Sequence, residues 1–327
     1  MTPSDDNRGG SDSRHRREAD LEAATQLLDM PLAARTRALL ARYDLRPRKS
    51  LSQNFLVDQA AVDAIVSTAT EYTDPDSVIV EIGAGLGALT VPLARTGRRL
   101  IAYETDPMLI RPLRLLTAPF SDATIMHRDI TEEDLATVTP GHRLAVVGNL
   151  PYHLSGLLLR RIMEIGHRCD VAIVTVQAEV GQRLRASAGD SQYGLLSVFA
   201  RYYLENVESL RRIGPGAFLP PPQVSSMALT LHPRHDPAVD AGNLAASQER
   251  LLFDLIRAAF GHRRKTLRRS LLTNEHLGLS RDILEEALSI SAVDGSLRAE
   301  QLDLHLFVQL ARALYDICEI HQDEVSP

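Results

Sequence analysis

The chain has 327 residues, 44% hydrophobic and 24% charged, enough apolar material for a sizeable core in about two domains. A formal net charge of −6 excludes a uniformly basic nucleic-acid binder, so any such role has to rest on local clusters. Two widely separated cysteines, Cys169 and Cys318, argue against a disulfide framework, and no apolar run approaches a membrane span, so a cytoplasmic protein is expected.

Residues 1–18 are rich in Ser, Asp, Gly and Arg and read as a disordered tail without the apolar stretch of a signal peptide. Apolar spacing over 20–43 predicts helix interrupted at Pro31, which makes 1–44 an N-terminal extension. "LRPRKSLSQNFLVD" (45–58) reads as a loop entering a helix. Strands are predicted at 77–83, 99–104, 124–129, 144–150, 170–177, 207–213 and 225–233, with helices at 87–95, 107–116, 155–166, 179–186 and 194–203. Strands alternating with helices imply an α/β fold over 45–234, a doubly wound, Rossmann-like, mostly parallel sheet. Residues 234–246 read as a linker, and 247–318 as a smaller all-helical domain.

"VEIGAGLGALT" places Gly83, Gly85 and Gly87 between a strand and a helix, where the backbone can turn tightly and a ligand can approach it. Glu104 ends the next strand, 21 positions after Gly83, and can accept hydrogen bonds from both hydroxyls of a ribose. Asp129, ending the third strand, can accept from an adenine amine or can simply cap a turn. The loop points to an adenosine-containing cofactor and leaves NAD open.

The fourth strand ends in "VVGNLPYHLS" (146–155). Ligands of open α/β sheets lie beyond the carboxyl ends of the strands. The N6 lone pair of adenine is delocalised into its ring, so two acceptors that each hold one N–H would free it for attack. The Asn149 side chain and the Leu150 carbonyl can be those acceptors. Pro151 keeps Leu150 extended, and Tyr152 can stack on the base. The bland alternative is a turn that caps the next helix. A nicotinamide oxidoreductase has no use for such a clamp.

With "SLSQNFLVD", "YETDP", "HRDI", "QAEVGQRL", "YGLLSVFARYY", "FLPPPQVSS" and "LIRAAFGHRRKTLRRSLL", these motifs resemble the ribosomal RNA adenine N6,N6-dimethyltransferase family, in its small-subunit (kasugamycin-sensitivity) branch. The resemblance covers roughly residues 45–272. It implies a methyltransferase domain over 45–234 that uses S-adenosylmethionine, and an RNA-binding helical domain. Asn54 and Leu56 would contact the cofactor, Gly83 would lie under its methionine part, Glu104 would hold the ribose and Asp129 the adenine amine. Asn149 would sit between cofactor and substrate, with Leu150 and Tyr152 completing the clamp and Phe218 stacking on the target from the other side. For Phe218 the residues alone favour a core aromatic. No metal is expected. The implied reaction is dimethylation of two adjacent adenines in the 3′-terminal hairpin of 16S rRNA, by a monomer acting on an assembling 30S subunit. The alternatives are a resistance-type 23S rRNA methylase and a non-catalytic assembly factor that keeps the fold.

Two positions depart from the family pattern: Ser52, where glycine is common, and His153, where this branch has asparagine. Local basic clusters suit phosphate contacts. Arg48 and Lys49 precede "SLSQNFL", and Arg263, Arg264, Lys265 and Arg268 read as one helical stretch.

Overall fold

The computed structural model describes residues 9–48, 51–262 and 264–323. They form two compact units, one holding the chain to residue 178 with 208–232, the other 179–207 with the residues from 233 onward.

The first unit opens with α1 (Gly9–Leu28) and α2 (Leu32–Arg42). Residues 9–18, expected in a disordered tail, are therefore helical, and residues 1–8 lie outside the described residues. Ala24 and Leu27 are buried with Leu109, Leu115 and Leu116, and extending an already packed helix costs little. Then follow β1 (Phe55–Leu56), α3 (Gln59–Tyr72), β2 (Val78–Ile82), α4 (Thr90–Arg95), β3 (Leu100–Glu104), α5 (Pro107–Thr117), β4 (Ala123–His127), β5 (Leu144–Asn149), α6 (Ser155–Glu164) and β6 (Cys169–Gln177). Asp58 caps α3 by accepting the Ala61 N–H, and Asp106 caps α5 ahead of Pro107 at its first turn.

Next come α7 (Ala178–Arg185), α8 (Leu195–Tyr203), β7 (Leu204–Ile213), β8 (Phe218–Leu219) and β9 (Ser226–Pro233). The main sheet has the order β4-β3-β2-β5-β6-β9-β7. Its first five strands are parallel, and β9 runs antiparallel to β6. Every residue of β2 is buried, as a strand covered on both faces requires. The chain runs outward from β2 through β3 and β4 and then returns to β5. That reversal opens a crevice at the carboxyl ends of β2 and β5, where sheets of this kind bind ligands. A second, two-stranded sheet pairs β1 with β8, Leu56 opposite Phe218.

The second unit is built from α7 and α8 with α9 (Pro237–Asp240), α10 (Ala246–Phe260), α11 (Leu267–Leu272), α12 (Arg281–Ile290) and α13 (Leu304–Asp323). Helix α8 groups with these later helices because its aromatics pack on α10. Tyr202 meets Phe253 edge-on at 5.0 Å and donates its hydroxyl to Glu249 at 2.9 Å. The basic stretch 262–269 is not one helix. Helix α10 ends at Gly261, and Thr266 caps α11 by accepting the Arg269 N–H. Arg264 and Lys265 fall in the turn between them, and Arg263 lies outside the described residues. No helix among the described residues is long and apolar enough to cross a membrane.

At Gly148 in β5 an added Cβ would lie 2.8 Å from the Ile82 carbonyl oxygen of β2. Backbone cannot yield there without moving a central strand. Gly148→Ala should cost about 1–3 kcal/mol, read as a lower midpoint of thermal unfolding.

Candidate active site

A cavity of about 330 Å³ lies at the strand-order reversal, within the size range of ligand pockets. Asn54, Leu56, Gly83, Glu104, Asp129, Asn149, Leu150 and Tyr152, eight of the positions singled out in the sequence, all line it.

The glycine loop leaves β2 with Gly83 and Gly85 at φ +75° and +57°, a region costly for any side chain. A Cβ on Gly83 would stand 3.7 Å from the Asn149 carbonyl and fill the gap between loop and turn. Glu104, 7% exposed at the end of β3, anchors the loop. One of its oxygens accepts the Gly85 N–H at 2.7 Å, the other the Asp106 N–H at 2.7 Å. Burial pushes its carboxyl above the usual range, although these backbone bonds oppose the shift. Asp129 uses Oδ1 to accept the Thr131 N–H at 2.8 Å and the Thr131 hydroxyl at 2.7 Å. The turn-capping role is thus realised, and Oδ2 is left without a hydrogen bond among the described residues.

The opposite wall is the 51–56 segment. Asp106 holds it by accepting from Gln53 Nε2 at 2.7 Å and pairing with Arg48 at 3.4 Å. Asn54 donates Nδ2 to the Ser52 carbonyl at 3.1 Å, and its own carbonyl accepts Nδ2 of Asn149 at 3.1 Å. Asn149 Oδ1 is buried and has no hydrogen-bond partner among the described residues. Tyr152, half-buried, shares a 2.7 Å hydrogen bond with the Ser226 hydroxyl, which fixes the ring from its far end. Burial raises its phenol above the ordinary value.

Other expected positions fall elsewhere. Phe218 is 3% exposed, packs in the core with Leu56, Ile213 and Ala228, and does not line the cavity. It lies in β8, which pairs with β1, and in this conformation it belongs to the core and not to the cavity wall. Arg268 is paired with Glu285 at 2.7 Å. Arg264 is exposed and Lys265 half-buried. Lys49 and Arg263 lie outside the described residues.

Two solved structures share the fold, that of a Rossmann-like methyltransferase. The 23S rRNA methyltransferase ErmE aligns with TM-score 0.60 and 24% identity over 80% of this chain and all of its own. A dimethyladenosine transferase from Plasmodium falciparum aligns with TM-score 0.62 and 22% identity over 82% of this chain and 98% of its own. Sequence relatives narrow the class. A ribosomal RNA small subunit methyltransferase A from Bacillus pumilus is 35% identical over 292 residues, 88% of this chain and 97% of that protein. Its counterpart from Staphylococcus epidermidis is 33% identical over 288 residues, 86% of this chain and 95% of that protein. Residues 45–314 match the ribosomal RNA adenine dimethylase family, and the chain belongs to it.

The cofactor of such an enzyme is S-adenosylmethionine, and the cavity fits it. Glu104 and Asp129 are carboxylate acceptors suited to hydroxyl and amine groups, Leu109 and Ile130 supply apolar wall, and Gly83 leaves the loop bare.

One cavity residue escaped the sequence reading. Glu81 is fully buried in β2 beside Thr90; an acid inside the apolar run "VIVEI" was the available signal. Burial pushes its carboxyl up to about 8; hydrogen bonding to Thr90 opposes the rise and repulsion from Glu104 adds to it. The unfolded chain releases this proton near 4.5, the folded chain near 8. Between these values the folded state binds the extra proton, so stability falls as pH rises. Glu81→Gln removes that dependence. Its unfolding midpoint should gain on wild type from about pH 4.5 to about pH 8, by at most about 1.4 kcal/mol per pH unit, and show no such trend below. Parallel curves would refute the buried-acid assignment.

Proposed function

We propose that this chain transfers methyl groups to the N6 amines of two adjacent adenines in the 3′-terminal hairpin of small-subunit rRNA. The observation that carries the chemistry is Asn149, a cavity residue whose Oδ1 is buried without a partner while its Nδ2 is held by Asn54. An orphaned buried acceptor costs about 1–3 kcal/mol, a cost relieved when an amine N–H arrives. S-adenosylmethionine supplies an electrophilic methyl group. Asn149 Oδ1 and the Leu150 carbonyl hold the two N–H groups, so the nitrogen lone pair is freed for attack. Tyr152, pinned by Ser226, supplies a face on which the extruded base stacks. Glu104 and Asp129 hold the adenosine part of the donor. The methylated amine is cationic and acidic and loses its proton to water, so catalysis on this reading is orientation and electrostatics, with no protein base.

The choice of small-subunit RNA is supported by the relatives that carry that name over most of this chain. Arg48, Arg264 and Lys265 would meet phosphates within the assembling subunit. The test is methyl transfer from labelled S-adenosylmethionine to unmodified small subunits and, separately, to large-subunit RNA, with the digested product analysed by mass spectrometry. N6,N6-dimethyladenosine confined to the small-subunit 3′ hairpin is expected; label in large-subunit RNA would overturn the target. Asn149→Ala should lower turnover about 10²-fold or more without unfolding the chain, and wild-type turnover would remove the clamp from the mechanism.

A further inference from the structure

Ser52 and His153, the two departures from the family pattern, stand 101 positions apart in sequence and meet in space, Ser52 Oγ lying 3.0 Å from His153 Nδ1. Both are at the wall of the cavity. Ser52 has φ +51°, a left-handed conformation that a non-glycine residue adopts at a cost. Its contact with His153 holds it there.

The contact belongs to a closed circuit. His153 bonds the Ser52 hydroxyl, the Ser52 carbonyl accepts Nδ2 of Asn54, and the Asn54 carbonyl accepts Nδ2 of Asn149. Asn149 and His153 belong to one turn, tightened by the Leu154 N–H on the Pro151 carbonyl at 3.0 Å and the Ser155 hydroxyl on the Tyr152 carbonyl at 2.9 Å. The circuit therefore begins and ends on the same five residues. Its consequence is a choice of orientation. With the Asn54 carbonyl fixed, the Asn149 amide must turn its NH₂ that way, since a rotated amide would set two carbonyl oxygens against each other. Oδ1 is then the atom left for the substrate.

We propose that His153 is a positioning residue that acts through Ser52 and Asn54 to set the orientation of the Asn149 amide, so that an acceptor and not a donor meets the target amine. This deepens the methyl-transfer reading and rests on the assignment of Asn149 as amine acceptor. Ser52→Gly deletes the hydroxyl while relieving the left-handed backbone, so the loop keeps its path. His153→Ala deletes the ring. His153→Asn places an amide group where Nδ1 stands.

The experiment is steady-state transfer to unmodified small subunits by these variants and by the double variant, with the S-adenosylmethionine Kd measured by titration calorimetry. Ser52→Gly and His153→Ala should each lower kcat about tenfold and leave donor Kd and RNA KM within about twofold. The double variant should be no worse than either single one, and His153→Asn should restore most of the loss. Wild-type kcat in either single variant, losses that multiply in the double, failure of His153→Asn to rescue, or a loss carried by KM or donor Kd would each overturn the proposal. Asn149→Ala separates the two readings. Inactive Asn149→Ala beside wild-type His153→Ala removes only the positioning role, whereas active Asn149→Ala removes the amine-acceptor assignment beneath it.

Discussion

The 3.1 Å hydrogen bond from the Asn149 side chain to the Asn54 carbonyl joins the two walls of the cavity, and the remaining site geometry is arranged around it. One wall is the turn that ends β5 and the other is a loop 95 positions earlier in the chain. That loop has little regular structure of its own. It is held at one end by Asp106, which binds both Gln53 and Arg48, and at the other by the short β1–β8 pairing. The glycine loop is secured in turn by Glu104, which accepts the backbone N–H of Gly85 in that loop and of Asp106 after β3. A buried carboxylate and a side-chain amide thus do for irregular backbone what ladder bonds do for the sheet.

Several of these features are unfavourable when taken alone. Asn149 Oδ1 is buried without a partner among the described residues, Glu81 is a buried acid, and Ser52 lies in the left-handed region. Such costs persist where surrounding structure over-determines them, and they collect at functional sites. Here the surroundings are five parallel strands whose central members are buried on both faces. The residue at the end of each strand is therefore held rigidly enough to keep an orphaned acceptor in place.

The alternation of strand and helix, the glycine loop, the acids ending β3 and β4 and the amide ending β5 were all legible in the sequence. Each is a local pattern: period, punctuation by glycine, or a polar residue stopping an apolar run. Glu81 was hidden because an acid within a strand reads as one polar position, and its meaning comes from burial on both faces. Phe218 was legible only as an aromatic next to prolines. Its place in the core accompanies pairing with Leu56, more than 160 positions away. The basic stretch at 262–269 read as helix by composition, but Gly261 and Thr266 divide it. The ion-pair partner of Arg268 is Glu285 on another helix.

The sequence by itself determined the class of fold, the family and the residues that end each strand, because these follow from hydrophobic period, turn chemistry and contiguous motifs. Tertiary structure decided which of those residues share a cavity, which carboxyl is buried deeply enough to hold its proton up to about pH 8, and which face of the Asn149 amide is left free. It also joined Ser52 to His153, two departures that the sequence shows as unrelated. The physical reason is that orientation, burial and partner are properties of long-range packing, set when the chain returns from β4 to β5 and brings distant loops to one crevice.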